Sequence, residues 1–247
     1  MTEAILLLDI GNSRAKWALV QGSEWLAEGA SVHDDSDRLL SEWNRFSPPS
    51  KVVACNVAGE ERLEFFSAYW QSRRVLLRCM KPGLECAGVR NLYDQPQQLG
   101  SDRWAALVAA WTRTHGACLV VSAGTAVTVD AINDQGEFMG GMILPGKRLM
   151  QQSLTVGTHA LEEHAGQVVD FPRNTADAMT AGIASALACA VQTGYQQLAR
   201  SCGKSPPCII TGGDAEWLAR QAQISAIIAP RLVLEGLLVM SQEDTQK

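Results

Sequence analysis

Two stretches of the chain repeat one local grammar, and any fold proposed for it must accommodate both. The first is Ile5-Leu6-Leu7-Leu8-Asp9-Ile10-Gly11-Asn12-Ser13-Arg14-Ala15-Lys16: an apolar run, an acid, then a glycine among small polar residues. A second apolar run, Trp17-Ala18-Leu19-Val20, follows it. The other stretch, Cys118-Leu119-Val120-Val121-Ser122-Ala123-Gly124-Thr125-Ala126-Val127-Thr128-Val129-Asp130, is built the same way around Gly124-Thr125. Short apolar runs bounded by turn residues read as buried strands, so each stretch predicts a strand, a tight turn and a returning strand. A glycine tip lets backbone approach a ligand closely and take positive φ. Successive N–H groups can then converge on phosphate oxygens as a nest. A carboxylate at the end of the entering strand would repel a phosphate directly. It can serve one through Mg²⁺, a hard ion that takes oxygen ligands and keeps several waters. Ordinary hairpin turns use the same residue types, and short motifs recur by chance. The pair is more telling than either member, because each copy is followed by the same series of elements.

After the first hairpin, Gln21-Gly22-Ser23 turns the chain into a third strand near Trp25-Leu26-Ala27. Residues 36–46 predict a helix capped by Ser36, with Leu39, Leu40 and Trp43 on one face and Pro48-Pro49 as its stop. A strand at 51–57, an amphipathic helix at 59–72 and a strand at 74–79 complete an order β-β-β-α-β-α-β. From Ala117 the order begins again, with hairpin strands around Gly124 and Asn133-Asp134-Gln135-Gly136 and a third strand over 138–144. A helix is expected after Pro145-Gly146 and a long one over 175–201, in which Gly182 and Gly194 are expected to mark close packing at a dimer seam. A strand at 208–211, a helix at 215–222, a strand at 224–229 and a last helix near 232–240, expected to pack back across the molecule, follow. The equivalent glycines are 124 − 11 = 113 residues apart, too far for a solenoid repeat. Two related domains facing each other across a cleft, each with a mixed sheet, fit that spacing.

The 247 residues are 47% hydrophobic, enough for one large or two modest cores. A net charge of -5 gives no clustered basic surface for nucleic acid or an anionic membrane. The Met-Thr-Glu-Ala start carries no basic leader, and no apolar run approaches the ~18 residues of a membrane span. The seven cysteines include no Cys-x-x-Cys pair, and several lie in apolar runs. They read as reduced core residues of a cytoplasmic protein rather than zinc ligands or disulfides.

Between the halves lies Asn91-Leu92-Tyr93-Asp94-Gln95-Pro96-Gln97-Gln98-Leu99-Gly100-Ser101-Asp102-Arg103-Trp104, a punctuated polar loop running into a helix with Ser101 as its expected cap. Asp102 in the first turn suits the helix dipole. Arg103 there gains nothing from the dipole, and a carboxylate-binding fork is a reason for it.

Asp9-x-Gly11-Asn12-Ser13, then Tyr93-x-x-Pro96-x-x-Leu99-Gly100-x-Asp102-Arg103, then Gly124-Thr125-Ala126-x-Thr128-x-Asp130 closely resemble the type III pantothenate kinase family. Gly140-Gly141-x-Ile143-x-Pro145-Gly146, Asn174-Thr175-x-Asp177-Ala178 and Thr211-Gly212-Gly213-Asp214 extend the match over nearly the whole chain. The resemblance implies the acetate/sugar kinase–Hsp70–actin superfamily: an α/β chain of two ribonuclease-H-like (actin-like ATPase) domains with mixed sheets facing a central cleft. Residues 1–116 would carry the first phosphate loop and the substrate and base loop. Residues 117–247 would carry the second phosphate loop and the adenosine motif. The implied reaction is ATP-dependent phosphorylation of pantothenate to 4'-phosphopantothenate, the first step of coenzyme A biosynthesis, in a cytoplasmic homodimer.

Carried over by position, the resemblance implies that Asp9 positions Mg²⁺ through water while Gly11, Asn12, Ser13 and Lys16 form the first ATP loop. Thr125 would contact ATP from the second loop, and Gly212 and Gly213 would let the adenosine lie on backbone. Tyr93, Gly100, Ser101, Asp102, Arg103 and Thr175 would hold pantothenate, with Arg103 on its carboxylate and Asp102 as general base. One position departs from the family pattern. Where an Asp usually helps bind a monovalent cation (K⁺ or NH₄⁺), this chain has Ser122, whose hydroxyl adds no negative charge. A requirement for that cation is therefore not claimed.

The intact substrate block, Asp102 and glycine tips argue against two rivals: another small-molecule kinase of the superfamily, and a regulatory accessory protein of the kind described for virulence-gene expression. The first would carry a different substrate loop; the second should show a broken Asp102 or glycine tip. His159 and His164, near Glu162 and Glu163, are five apart and do not share a helix face, so they read as a surface segment. His33 and His115 stand alone and read as ordinary polar residues. The tryptophans fall at apolar positions and read as core.

Overall fold

The computed structural model describes residues 3–157 and 166–243. His159, Glu162, Glu163 and His164 lie outside the described residues. The chain forms two compact units, 1–112 together with 231–247, and 113–230.

In the first unit, β1 (Ala4–Ile10), β2 (Arg14–Gln21) and β3 (Glu24–Val32) form an antiparallel meander. A 3-10 turn (His33–Asp35) leads to α1 (Ser36–Trp43), followed by β4 (Lys51–Asn56), α2 (Glu60–Ser72) and β5 (Leu76–Cys79). The sheet order is β3-β2-β1-β4-β5, with β4 parallel to both β1 and β5. Alternation along β1 decides its two faces. Leu6, Leu8 and Ile10 join Trp17, Trp43, Phe66 and Trp70 in a core under α1 and α2, and the Trp43 and Trp70 rings stand 5.1 Å apart. Asp9 is on the opposite face. A short antiparallel pair, β6 (Glu85–Cys86) and β7 (Val89–Asn91), precedes a 3-10 turn at Pro96–Gln98 and α3 (Ser101–Thr114). Neither that pair nor the turn is visible as periodicity, because both are too short to show one.

The second unit repeats the plan with β8 (Cys118–Ala123), β9 (Ala126–Ile132) and β10 (Glu137–Pro145) as the meander. α4 (Lys147–Gly157), α5 (Thr175–Cys202), β11 (Cys208–Thr211), α6 (Ala215–Ala222) and β12 (Ala226–Ile228) follow. Its strands run β10-β9-β8-β11-β12, with β8, β11 and β12 parallel. That is the order of the first unit, strand for strand, as the duplication predicts. Gly194 faces the Val129 side chain, where a Cβ would come within 2.7 Å of Val129 Cγ1, so this glycine serves helix-to-sheet packing inside the unit.

The sequence division at 116/117 leaves the last helix, α7 (Leu232–Glu243), with the second half. In the structure α7 packs on β1 and β4 of the first unit. Gly236 makes the crossing, since a side chain there would strike the Ala105 carbonyl of α3. An apolar helix can cover either of two similar sheets, and periodicity does not distinguish them.

Candidate active site

In the first unit the site is built on the end of β1. Register places Asp9 between Lys16 on β2 and Cys55 on β4. Asp9 is 9% exposed, and the Cys55 thiol donates to its Oδ1 at 3.4 Å. Burial pushes the Asp9 carboxyl up to about 6; the nearby Asp102 charge adds to the rise, while Lys16 and the thiol oppose it. Burial also drives the Cys55 ionisation far upward, so the sulfur keeps its proton and remains a donor.

The Gly11 turn follows at once. Gly11 N–H donates to the Arg14 carbonyl at 3.1 Å, closing the hairpin. Asn12 at its tip is exposed, with Ser13 and Lys16 half-buried. On the other side, His33 Nε2 donates to the Gly11 carbonyl at 2.6 Å. His33 thus touches the loop that the sequence reading left it out of.

Asp102 and Arg103 lie in the first turn of α3, as expected, but Ser101 does not cap it. The helix begins at Ser101 itself, with Trp104 N–H donating to the Gly100 carbonyl. The Ser101 hydroxyl accepts from Asn56 N–H and donates to the Asn56 carbonyl, both at 3.1 Å. A serine before an apolar run looks like a cap, and only the neighbouring strand end reveals the other use. Asp102 Oδ1 instead accepts from Arg103 N–H at 2.8 Å. Burial raises the Asp102 pKa, opposed by that bond and by the Arg103 charge. Gly100 leaves room for the carboxylate, since a Cβ there would lie 2.7 Å from Asp102 Oδ1. Arg103 is 5% exposed, its guanidinium carbon 5.7 Å from the centre of the Tyr93 ring. Asn91 holds that loop, its side chain accepting from Tyr93 N–H and donating to the Pro96 carbonyl.

The second unit presents the equivalent constellation with a hydroxyl in place of the strand-end acid, and with the buried Asp130 carboxylate accepting from Thr128 Oγ1 at 3.1 Å. Ser122 stands where Asp9 stands in the first, and its register neighbours are Thr128 on β9 and Thr211 on β11. The turn is one residue tighter: Gly124 N–H donates to the Ala126 carbonyl, and Gly146 N–H donates to the Thr125 carbonyl at 2.8 Å. Gly212 has φ +104 and sits against the Ala123 carbonyl, where a Cβ would collide, whereas Gly213 has open space around it. Thr175 opens α5 behind Asn174, whose side chain accepts from Asp177 N–H. The structure therefore gathers Asp9, Gly11, Asn12, Ser13, Lys16, Tyr93 and Gly100 to Arg103 on the first unit. Ser122, Thr125, Gly212, Gly213 and Thr175 belong to the second.

The family model for type III pantothenate kinase matches residues 5–197. The chain belongs to the type III pantothenate kinase family. A type III pantothenate kinase of Nitrosospira multiformis is 42% identical over all of this chain and 94% of its own length. Another from Thiobacillus denitrificans is 42% identical, covering 96% of each chain. Among solved structures, a Campylobacter jejuni protein assigned to the Baf family of transcriptional activators superposes with TM-score 0.60 at 24% identity, over 98% of this chain and 100% of that one. A Clostridium difficile activator of 2-hydroxyisocaproyl-CoA dehydratase, with bound ADPNP, gives 0.56 at 10% identity, over 98% and 96%. These two likenesses speak for the fold alone, a mixed α/β chain with two mixed sheets. The family's reaction is phosphoryl transfer to pantothenate in coenzyme A biosynthesis.

Three residues of the candidate site escape a reading of motifs. Cys55, Asn56 and His33 carry no recognisable pattern. The available signal is positional: Cys55-Asn56 falls near the end of the expected strand 51–57, which the structure sets parallel to the acid-bearing β1, and site residues gather at such strand ends.

Proposed function

We propose that this chain transfers the γ-phosphoryl group of ATP to the terminal hydroxyl of pantothenate, with Asp102 as general base. The observation that carries the assignment is the Asp102 carboxylate, raised in pKa by burial at the start of α3 and felt electrostatically by Asp9. A carboxylate so placed can orient the hydroxyl and accept its proton as the new O–P bond forms and the bond to ADP breaks. Phosphoryl transfer through a loose transition state asks for alignment and charge neutralisation more than covalent help. Arg103, buried and stacked near Tyr93, supplies a planar fork for the pantothenate carboxylate.

The two glycine turns take the nucleotide phosphates, Asn12, Ser13 and Lys16 from the first unit and Thr125 from the second. Gly212 and Gly213 offer bare backbone to the adenosine. The donor set at Asp9 fits Mg²⁺: a buried carboxylate whose ionisation is resisted by a second carboxylate gains from a hard divalent charge. When bound with ATP, that ion neutralises phosphate charge. Ser122, Thr128 and Thr211 present hydroxyls to a monovalent cation, and Asp130 is already bonded to Thr128; with no acid at position 122 itself, activity without K⁺ or NH₄⁺ is the expected outcome. No described helix is long and apolar enough to cross a membrane. A cytoplasmic homodimer is the family-based expectation.

The test is ATP-dependent pantothenate phosphorylation by wild type and Asp102→Asn, with K⁺ present or replaced by a bulky organic cation. Collapse of turnover in a folded Asp102→Asn supports the base. Absence of any phosphorylation by wild type would sink the enzymatic reading and favour an accessory role.

A further inference from the structure

The loops of the two units are held from behind at equivalent places. In the second unit, the clamp on the glycine turn is the backbone N–H of Gly146, one residue beyond β10, bonded to the Thr125 carbonyl. In the first unit, the residue one beyond β3 is His33, and its side chain bonds the Gly11 carbonyl. The offset is the same as that between the two glycines: 146 − 33 = 113 and 124 − 11 = 113. A backbone clamp on the carbonyl after the glycine in one copy is thus replaced by an imidazole on the carbonyl of the glycine itself in the other, where the turn is one residue longer.

The bond has a directional consequence. A carbonyl oxygen can only accept, so Nε2 of His33 carries a proton. The peptide between Gly11 and Asn12 is planar and trans, so its C=O and N–H point in opposite directions. Drawing the Gly11 oxygen toward His33 aims the Asn12 N–H away from the 3-10 turn, toward the open side of the loop. The backbone of the turn that carries His33 is itself held: Ser36 Oγ donates to the His33 carbonyl at 2.7 Å, and Ser31 Oγ donates to the Asp35 carbonyl at 2.9 Å. A glycine peptide is otherwise free to flip, and a flipped Gly11 would present a carbonyl oxygen to phosphate.

We propose that His33 is a positioning residue for the nucleotide: it fixes the Gly11–Asn12 peptide so that the Asn12 N–H faces the ATP phosphates. The inference rests on assigning the first glycine loop to ATP, made above. His33 acts through Gly11 and touches no substrate.

The experiment compares wild type, His33→Leu, His33→Gln and Lys16→Ala by KM for ATP, KM for pantothenate, kcat and thermal midpoint. Loss of one aligned donor should raise the KM for ATP about tenfold in His33→Leu, with the KM for pantothenate within about twofold of wild type. Gln places an amide N–H near the position of Nε2, so His33→Gln should recover most of the loss. An unchanged ATP KM in His33→Leu, alongside a raised one in Lys16→Ala, would overturn the role of His33 alone. Equal rises in both KM values with a lowered midpoint, unrelieved by Gln, would reduce it to a structural role. An unchanged ATP KM in Lys16→Ala would remove the loop assignment and this inference with it.

Discussion

The hydroxyl of Ser101 and the backbone of Asn56 exchange two hydrogen bonds, each 3.1 Å long. The first residue of α3 is thereby fixed to the last residue of β4, whose neighbour Cys55 holds Asp9. One strand end sets the relation between the proposed base and the acid of the phosphate loop.

Replacing Ser101 with alanine should therefore lower turnover more than it raises the KM for pantothenate. It should also cost about 1–3 kcal/mol in stability, because the Asn56 N–H and C=O lose their partner. Urea unfolding and steady-state kinetics check both. A large rise in the pantothenate KM at unchanged kcat would mean instead that Ser101 contacts substrate.

Asp102→Asn should reduce kcat by about 10²–10⁴-fold, the usual range for a missing general base, with the thermal midpoint unchanged or raised. The midpoint should not fall, since a carboxylate whose burial resists its charge is replaced by a neutral group of similar shape. Far-ultraviolet circular dichroism and a coupled ADP assay suffice.

Without divalent cations the stability of the protein should fall as pH rises from about 4 to about 6. Asp9 ionises at about 6 when folded against 3.8 ordinarily, so in that window the folded state binds more protons than the unfolded one. The unfolding free energy then decreases with pH, by on the order of 3 kcal/mol, and levels above the folded value. Asp102, raised in the same direction, adds to the slope. Asp9→Asn should flatten the Asp9 part and be the more stable protein above pH 6. An unfolding series at fixed ionic strength would refute this by showing a rise.

The two glycines proposed to meet the adenosine should behave differently. Gly212→Ala meets both a positive φ and the Ala123 carbonyl, and should lower stability by about 2 kcal/mol or more. Gly213→Ala meets nothing within 4 Å, so its stability should match wild type. A raised ATP KM in Gly213→Ala would then report the adenosine itself.

Much of this protein is written locally. Apolar runs around Gly11 and Gly124 mark the hairpins, and their spacing marks a duplicated fold in which two sets of five strands share one order. Asp9, Asp102 and Arg103 announce themselves because charge at a strand end or a helix start is conspicuous in sequence. What tertiary structure decided is which groups meet. Strand register set Cys55 beside Asp9, a strand end claimed Ser101 from its expected cap, and a 3-10 turn delivered His33 to Gly11. The last helix went to the first sheet through a close crossing at Gly236 that needs the other helix in place. Periodicity and turn chemistry act over a few residues, so the sequence carries them openly. Hydrogen bonds between residues 22 or 45 apart exist only after the chain has closed upon itself.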